Sequence, residues 1–268
     1  MAFYQSDGLK LYYEEHGSGD PLVLVPGFGS DTTAWVDQVD DYKRRFRVIL
    51  MDIRGGGRSD VPEPGYGPKD LARDVIALTT HLGLKKIHFG GWSLGGAVGL
   101  EVALAKPDLL RTLSLHSSWE GDTPPHMRRW IEIRRRIIAA NDPVVNLGTR
   151  VVSFFSTDFV NEHEDLVDAY FKRAQANPNP MTEKGIDGHA QACLKHDAGD
   201  RIGAIKIPTL VTVGSQDRST PPGLSRTLHK KITGSEFILI DGAGHCPMYE
   251  STKAFNTISL GFLIKHSA

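Results

Sequence analysis

The sequence predicts an α/β protein whose mostly parallel sheet is flanked by helices and interrupted by a helical insertion. Three observations carry that prediction. Short apolar runs suited to buried strands alternate with stretches at helical spacing from about residue 21 to residue 115. The alternation stops between about residues 120 and 198, where the chain is helical in pattern and richer in charge, and resumes at 208–213. Finally, Gly90-Gly91-Trp92-Ser93-Leu94-Gly95-Gly96 joins a strand directly to a helix, with no room for a loop between them.

Taken in order, Phe3-Tyr4-Gln5 and Leu9-Lys10-Leu11-Tyr12-Tyr13 flank Asp7-Gly8, a dipeptide that supplies the positive φ angles of a tight hairpin. Pro21-Leu22-Val23-Leu24-Val25-Pro26 reads as a strand covered on both faces and leads into Gly27-Phe28-Gly29-Ser30. Asp31-Thr32-Thr33 caps a helix expected to reach Arg44. Phe46-Arg47-Val48-Ile49-Leu50-Met51 is the next buried strand. It ends in a glycine-rich turn, Asp52 to Asp60, whose arginine is expected to brace neighbouring loops. Residues 68–83 place Leu71, Val75, Leu78 and Leu82 on one helical face, with Gly83 as the stop. The Ile87-His88-Phe89 strand, its following helix and a strand at 110–115 complete the first half. Strands at 208–213 and 237–240 and a last helix at about 251–266 complete the second. The predicted division is a core of residues 1–119 and 199–268 with an eight-stranded sheet, and a helical cap at 120–198 punctuated by Pro124-Pro125, Pro143 and Asn177-Pro178-Asn179-Pro180.

Composition narrows the function classes. With 268 residues, 40% of them hydrophobic, the chain buries one full core and has length left for an insertion. A net charge of -1 gives no global pull toward nucleic acid or an acidic membrane surface. Two cysteines, Cys193 and Cys246, are too few for a disulfide framework and lack metal-knuckle spacing, which fits a reducing compartment. The first residues carry neither a basic start nor an apolar run, and no stretch approaches the roughly 20 apolar residues of a membrane span. The expectation is a cytoplasmic enzyme. His189, Cys193 and His196 invite a metal reading, yet the two histidines stand about 10.5 Å apart along a helix axis, too far for one ion. Gly27-Phe28-Gly29 lacks the third glycine of a dinucleotide fingerprint, so neither a metal nor a cofactor is expected.

The glycines two before and two after Ser93 allow a sharp strand-to-helix turn, the Gly-x-Ser-x-Gly nucleophile elbow. A serine hydroxyl needs a base to take its proton, and that base needs an acid to hold its tautomer. Just past two later strands stand Gly214-Ser215-Gln216-Asp217 and Asp241-Gly242-Ala243-Gly244-His245, where catalysts of parallel sheets collect. Ser93, Asp217 and His245 follow the Ser, Asp, His order of one hydrolase architecture.

On these residues the chain resembles an α/β-hydrolase fold serine hydrolase over essentially its whole length. The resemblance implies Ser93 as nucleophile, His245 as general base and then general acid, and Asp217 as its orienting partner. It implies too that the backbone N–H groups of Phe28 and Leu94 form the oxyanion hole. The family commonly has a histidine where Pro26 stands, which a backbone donor does not need. Some members carry the acid after the preceding strand, where Glu120 and Asp122 compete with Asp217. Leu115-His116-Ser117-Ser118-Trp119, the arginine-bearing first cap helix and Thr220-Pro221-Pro222 are similar to 3-oxoadipate enol-lactonases and related carboxylesterases.

That likeness implies hydrolysis of a small carboxylic ester or lactone, with an anionic enol-lactone as the preferred substrate. Trp119, where sheet meets cap, and Trp130 are the expected substrate-binding aromatics. Arg128-Arg129-Trp130-Ile131-Glu132-Ile133-Arg134-Arg135-Arg136 places Trp130, Ile133 and Ile137 on one side and most arginines in solvent. The sharper alternative sends one arginine into the pocket to pair with a substrate carboxylate. Other readings of the same triad are hydrolysis of a carbon–carbon bond beside a ketone and cofactor-free perhydrolysis. A ligand receptor built on the fold is the non-enzymatic alternative. Epoxide and haloalkane hydrolysis are disfavoured, because those resemble the fold with an aspartate at the elbow.

Overall fold

Alternating strand and helix build a single eight-stranded sheet in the order β1-β2-β4-β3-β5-β6-β7-β8. The computed structural model describes residues 2–140 and 142–267, without the side chain of Pro143. Its strands and helices are β1 (Ala2–Ser6), β2 (Leu9–His16), β3 (Asp20–Val25), α1 (Val36–Tyr42), β4 (Phe46–Met51), α2 (Pro68–His81), β5 (Ile87–Trp92), α3 (Leu94–Ala105) and β6 (Leu110–His116). Then come α4 (Pro125–Ala139), α5 (Pro143–Phe154), α6 (Thr157–Glu162), α7 (Glu164–Gln175) and α8 (Glu183–Leu194). The chain returns to the sheet with β7 (Thr209–Gly214), α9 (Pro222–Lys231), β8 (Glu236–Ile240), α10 (Pro247–Glu250) and α11 (Thr252–Lys265).

The β1–β2 hairpin turns at Asp7 (φ 49) and Gly8 (φ 78) and pairs antiparallel, as does β2 with β4; every later pairing is parallel. Side chains alternate between faces. Val23 and Val25 of β3 enter one apolar cluster, while Leu22 and Leu24 enter the cluster on the opposite face. β5 and β7 are buried along their full lengths, which explains why they read as continuous apolar or small-residue runs. α3 is buried almost all round, from Leu94 to Ala103, so it is a central helix rather than an amphipathic one.

The helix expected to reach Arg44 stops earlier. Asp31 caps a 3-10 turn over Thr32–Trp35, α1 ends at Tyr42, and Arg45 N–H bonds back to the Tyr42 carbonyl. The parallel register sets that limit, because Phe46 pairs with Asp20 in the first step of the β3–β4 ladder. Five helices, α4 to α8, lie between β6 and β7 and pack chiefly on one another, α4 on α5 and α8 and α7 on α5 and α6. No helix among the described residues is long and apolar enough to cross a membrane.

Topology locates the site. β4 lies on one side of β3 and β5 on the other, so the loops leaving β3 and β5 diverge at a switch in strand order. Crevices at such a switch are where open α/β sheets bind ligands.

Candidate active site

Ser93 occupies the corner between β5 and α3 with φ 55 and ψ -115, a region that non-glycine residues avoid. Its neighbours leave no alternative. A Cβ on Gly91 would lie 2.2 Å from the Gly95 carbonyl oxygen, and one on Gly95 would lie 2.2 Å from that of Val25. The corner is thus pressed against the end of β3. Ser93 N–H donates to the His116 carbonyl at 2.8 Å, and its carbonyl accepts from Ser118 Oγ at 3.0 Å.

His245 and Asp217 meet from the ends of β8 and β7. Nδ1 of His245 lies 2.9 Å from Asp217 Oδ2, and both residues are buried. Asp217 Oδ1 accepts from the amides of Ser219 and Thr220, and Thr220 Oγ1 donates to Oδ2 at 2.8 Å. So the carboxylate receives four donors, counting His245 Nδ1, which fix its orientation toward the imidazole. Ser93 enters the same cluster through Trp92. The Trp92 indole lies 5.2 Å from the imidazole and donates to the His245 carbonyl at 2.9 Å. Among the described residues His245 Nε2 has no hydrogen-bond partner.

The loop after β3 touches the same corner, since a Cβ on Gly27 would come within 3.2 Å of Ser93 Cβ. Among the described residues, neither the Phe28 nor the Leu94 amide donates to a protein acceptor. His189 of α8 holds this loop in place. Its Nδ1 accepts from Gly29 N–H at 3.2 Å while Nε2 donates to the Arg54 carbonyl at 2.9 Å. Burial pushes the ring down to about 4, so it stays neutral and keeps Nδ1 an acceptor.

The inserted helices close over this rim. Phe28 packs on Trp130 at 5.7 Å, Trp130 on Phe154 at 5.9 Å, and Phe154 on the His245 ring at 5.5 Å. The Phe154 carbonyl accepts from His245 N–H at 2.6 Å, and Glu250 takes the amides of both Ser156 and Gly244. Behind the aromatic wall lies a cavity of about 780 Å³, whose lining includes Gly29, Trp92, Phe154 and Cys246. It is lined by the chain neighbours of Phe28, Ser93 and His245 rather than by those residues themselves.

Several expected residues lie elsewhere. Trp119 is fully buried against His196, 5.0 Å between ring centroids, with its indole on Thr123; it does not line the cavity, because the strand end turns it inward. Glu120 faces Lys231, and Asp122, nearly fully exposed, pairs with Arg128, so neither contacts His245. Asp241 serves its own turn through Ser215. In α4 the buried face is Met127, Ile131 and Arg134, while Ile133 is exposed; the true stripe runs one residue off the expected one and carries an arginine inward. Arg54 braces the turn after β4 as expected, with Nε and Nη2 on the buried Asp74 of α2 at 2.7 and 2.5 Å.

Sequence reasoning missed Trp92, Phe154, His189, Thr220 and Glu250 as parts of the site. Only Thr220 left a local signal, since Asp217-x-x-Thr220 is a spacing at which an aspartate caps its own following turn. The others depend on contacts across the fold.

A parallel sheet with a strained serine corner at its switch point, whose neighbour Trp92 packs on the imidazole of a buried His–Asp pair, defines a hydrolase of the α/β type. Residues 20–252 match the alpha/beta hydrolase fold family, and the chain belongs to it. A relative from Azorhizobium caulinodans, named for carbamate hydrolysis as RutD, is 28% identical over 98% of each chain. A thermophilic esterase from Thermogutta terrifontis superposes with a TM-score of 0.88 at 26% identity, covering 100% of this chain and 99% of that one. The enol-lactonase from Burkholderia xenovorans LB400 shares the fold, with a TM-score of 0.87 at 23% identity over 98% and 100% of the two chains.

Proposed function

We propose that the protein hydrolyses a small carboxylic ester or lactone through an acyl-enzyme intermediate. Ser93 Oγ attacks the acyl carbon while His245 takes the hydroxyl proton at Nε2. Asp217, bonded to Nδ1, fixes the tautomer and stabilises the imidazolium that forms. The Phe28 and Leu94 amides donate to the developing oxyanion, and each such donor is worth about 3 kcal/mol of barrier. His245 then returns the proton to the leaving oxygen, and the same pair activates water to release the acid.

One observation carries the reading: the left-handed backbone of Ser93, fixed by glycines that admit no side chain, with the adjacent Trp92 packed on a buried His–Asp pair. Strain of about 1–3 kcal/mol persists only where surrounding structure enforces it, and it concentrates at functional sites. The relatives support the same chemistry, since esters and carbamates are both opened by attack at a carbonyl carbon. RutD makes carbamates the second substrate class to try.

Rapid mixing with p-nitrophenyl acetate is expected to give a burst of nitrophenol, and a fluorophosphonate is expected to add one covalent mass. Ser93→Ala should abolish both. Turnover retained in that variant would overturn the mechanism.

A further inference from the structure

On the lining of the cavity behind Trp92 and Phe154, two guanidinium groups make no ion pair among the described residues. Arg134 of α4 is 3% exposed, and its Nη1 donates only to the Asn146 carbonyl and to Thr149 Oγ1. Its Nε is buried with no hydrogen-bond partner among the described residues. Arg150 of α5, half-buried, makes no ion pair among the described residues. It lies over two rings instead, 5.7 Å from the centroid of Phe154 and 5.3 Å from that of Tyr170. The Tyr170 hydroxyl and Asn146 Oδ1 are likewise buried and unpartnered, and all four residues line the cavity. Burial and the charge of Arg150 push Arg134 down to about 10, still protonated at neutral pH.

Of the lining carboxylates, Glu183 is exposed at the start of α8, and the other two are engaged within the chain. Asp31 binds Thr33 and Asn177, and Asp142 caps α5 through the amides of Val144 and Val145. Arg173, the third lining arginine, pairs with Asp37. A buried guanidinium with an orphaned donor beside a second, unpaired cation is costly unless an anion joins them, and a planar carboxylate suits guanidinium donors best. One phenyl ring, that of Phe154, touches both the Arg150 guanidinium and the His245 imidazole.

Resting on the hydrolase reading above, we infer that Arg134 and Arg150, with the Tyr170 hydroxyl, form a carboxylate subsite. The preferred substrate is then an ester or lactone whose acyl chain carries a free carboxylate a few carbons from the scissile carbonyl. The chain runs past Phe154, and its far end neutralises the guanidinium pair. A monoanion fits better than a dianion, since Asp31, Asp142 and Glu183 share the same walls.

The test compares p-nitrophenyl hemiglutarate with p-nitrophenyl valerate, which has the same acyl length and no charge. The full chain should favour the hemiglutarate in kcat/KM, and glutarate should inhibit valerate turnover competitively. In Arg150→Gln the hemiglutarate-to-valerate ratio should fall about 10- to 100-fold and inhibition by glutarate should vanish, with Arg150→Lys recovering part of the ratio. Arg134→Met, if it folds, should lower the ratio as much. A wild-type preference for valerate, or a ratio indifferent to Arg150, would overturn the subsite. Should no ester turn over, the hydrolase reading fails by itself. Glutarate then still decides the subsite, because a rise in Tm lost in Arg150→Gln supports it and no rise overturns it.

Discussion

The sheet rim and the helical insertion bury charge in opposite ways. At the rim each buried ion has partners: Asp217 holds four donors, and Asp74 holds Arg54 through two nitrogens and Ser6 through its hydroxyl. In the insertion, Arg134 is as deeply buried yet has only neutral acceptors and one idle nitrogen. Satisfied charges rigidify and fix a geometry, whereas an unsatisfied one lowers stability until something binds. The rim therefore reads as finished machinery, and the insertion as a surface awaiting a substrate.

That contrast breaks first at Asp217. Asp217→Asn should keep the fold, because the amide still reaches the same turn. It leaves the wrong tautomer on His245, so kcat is expected to fall about 10⁴-fold on any ester that turns over. Stopped assays on an activated ester measure it; a loss under tenfold would remove Asp217 from the chemistry.

Next in size is Asp74. Asp74→Ala strands the Arg54 guanidinium, 8% exposed, with only the half-exposed Asp7 beside it. Stability should drop by about 3–5 kcal/mol, read from the denaturant midpoint. An unchanged midpoint would mean the rim tolerates unpaired charge as the insertion does.

Acid sharpens the comparison further. Burial pushes His116 down to about 3, and His88, His189 and His196 to about 4, so all four are neutral in the folded chain at neutral pH. Below about pH 6.5 the unfolded chain takes up protons that the native one refuses, and stability falls as pH falls toward 4. Each histidine contributes up to about 1.4 kcal/mol per pH unit. Burial also raises Asp52 to about 6, so between about pH 4 and 6 the native state binds one proton more readily and offsets one histidine. Tm should therefore decline from pH 7.5 to pH 5. A flat or rising Tm over that range would contradict the buried neutral imidazoles.

The smallest effect tests the insertion. Arg134→Met replaces a buried cation with an apolar chain of similar length, and stability should hold or rise by about 1–2 kcal/mol. A loss like that of Asp74→Ala would make Arg134 structural.

The sheet, the elbow and the order of Ser93, Asp217 and His245 were legible in the sequence because each rests on local rules. Apolar runs mark doubly covered strands, glycines mark a corner without side-chain room, and strand ends mark where polar groups surface. The insertion obeyed no comparable rule. Its short helices take their faces from what they pack on, so the stripe of α4 slipped by one residue and brought Arg134 inward, and Trp119 turned away from the cavity it was expected to line. His189, which invited a metal reading, instead positions the Phe28 loop.

By itself, then, the sequence determined the fold, the turn at Ser93 and the residues at the strand ends, since short-range sterics and burial periodicity specify them. Only the tertiary structure decided which arginine faces the cavity, which aromatic rings wall it off and how the insertion grips the His245 loop. Those depend on contacts between segments many residues apart, whose partners no local pattern encodes.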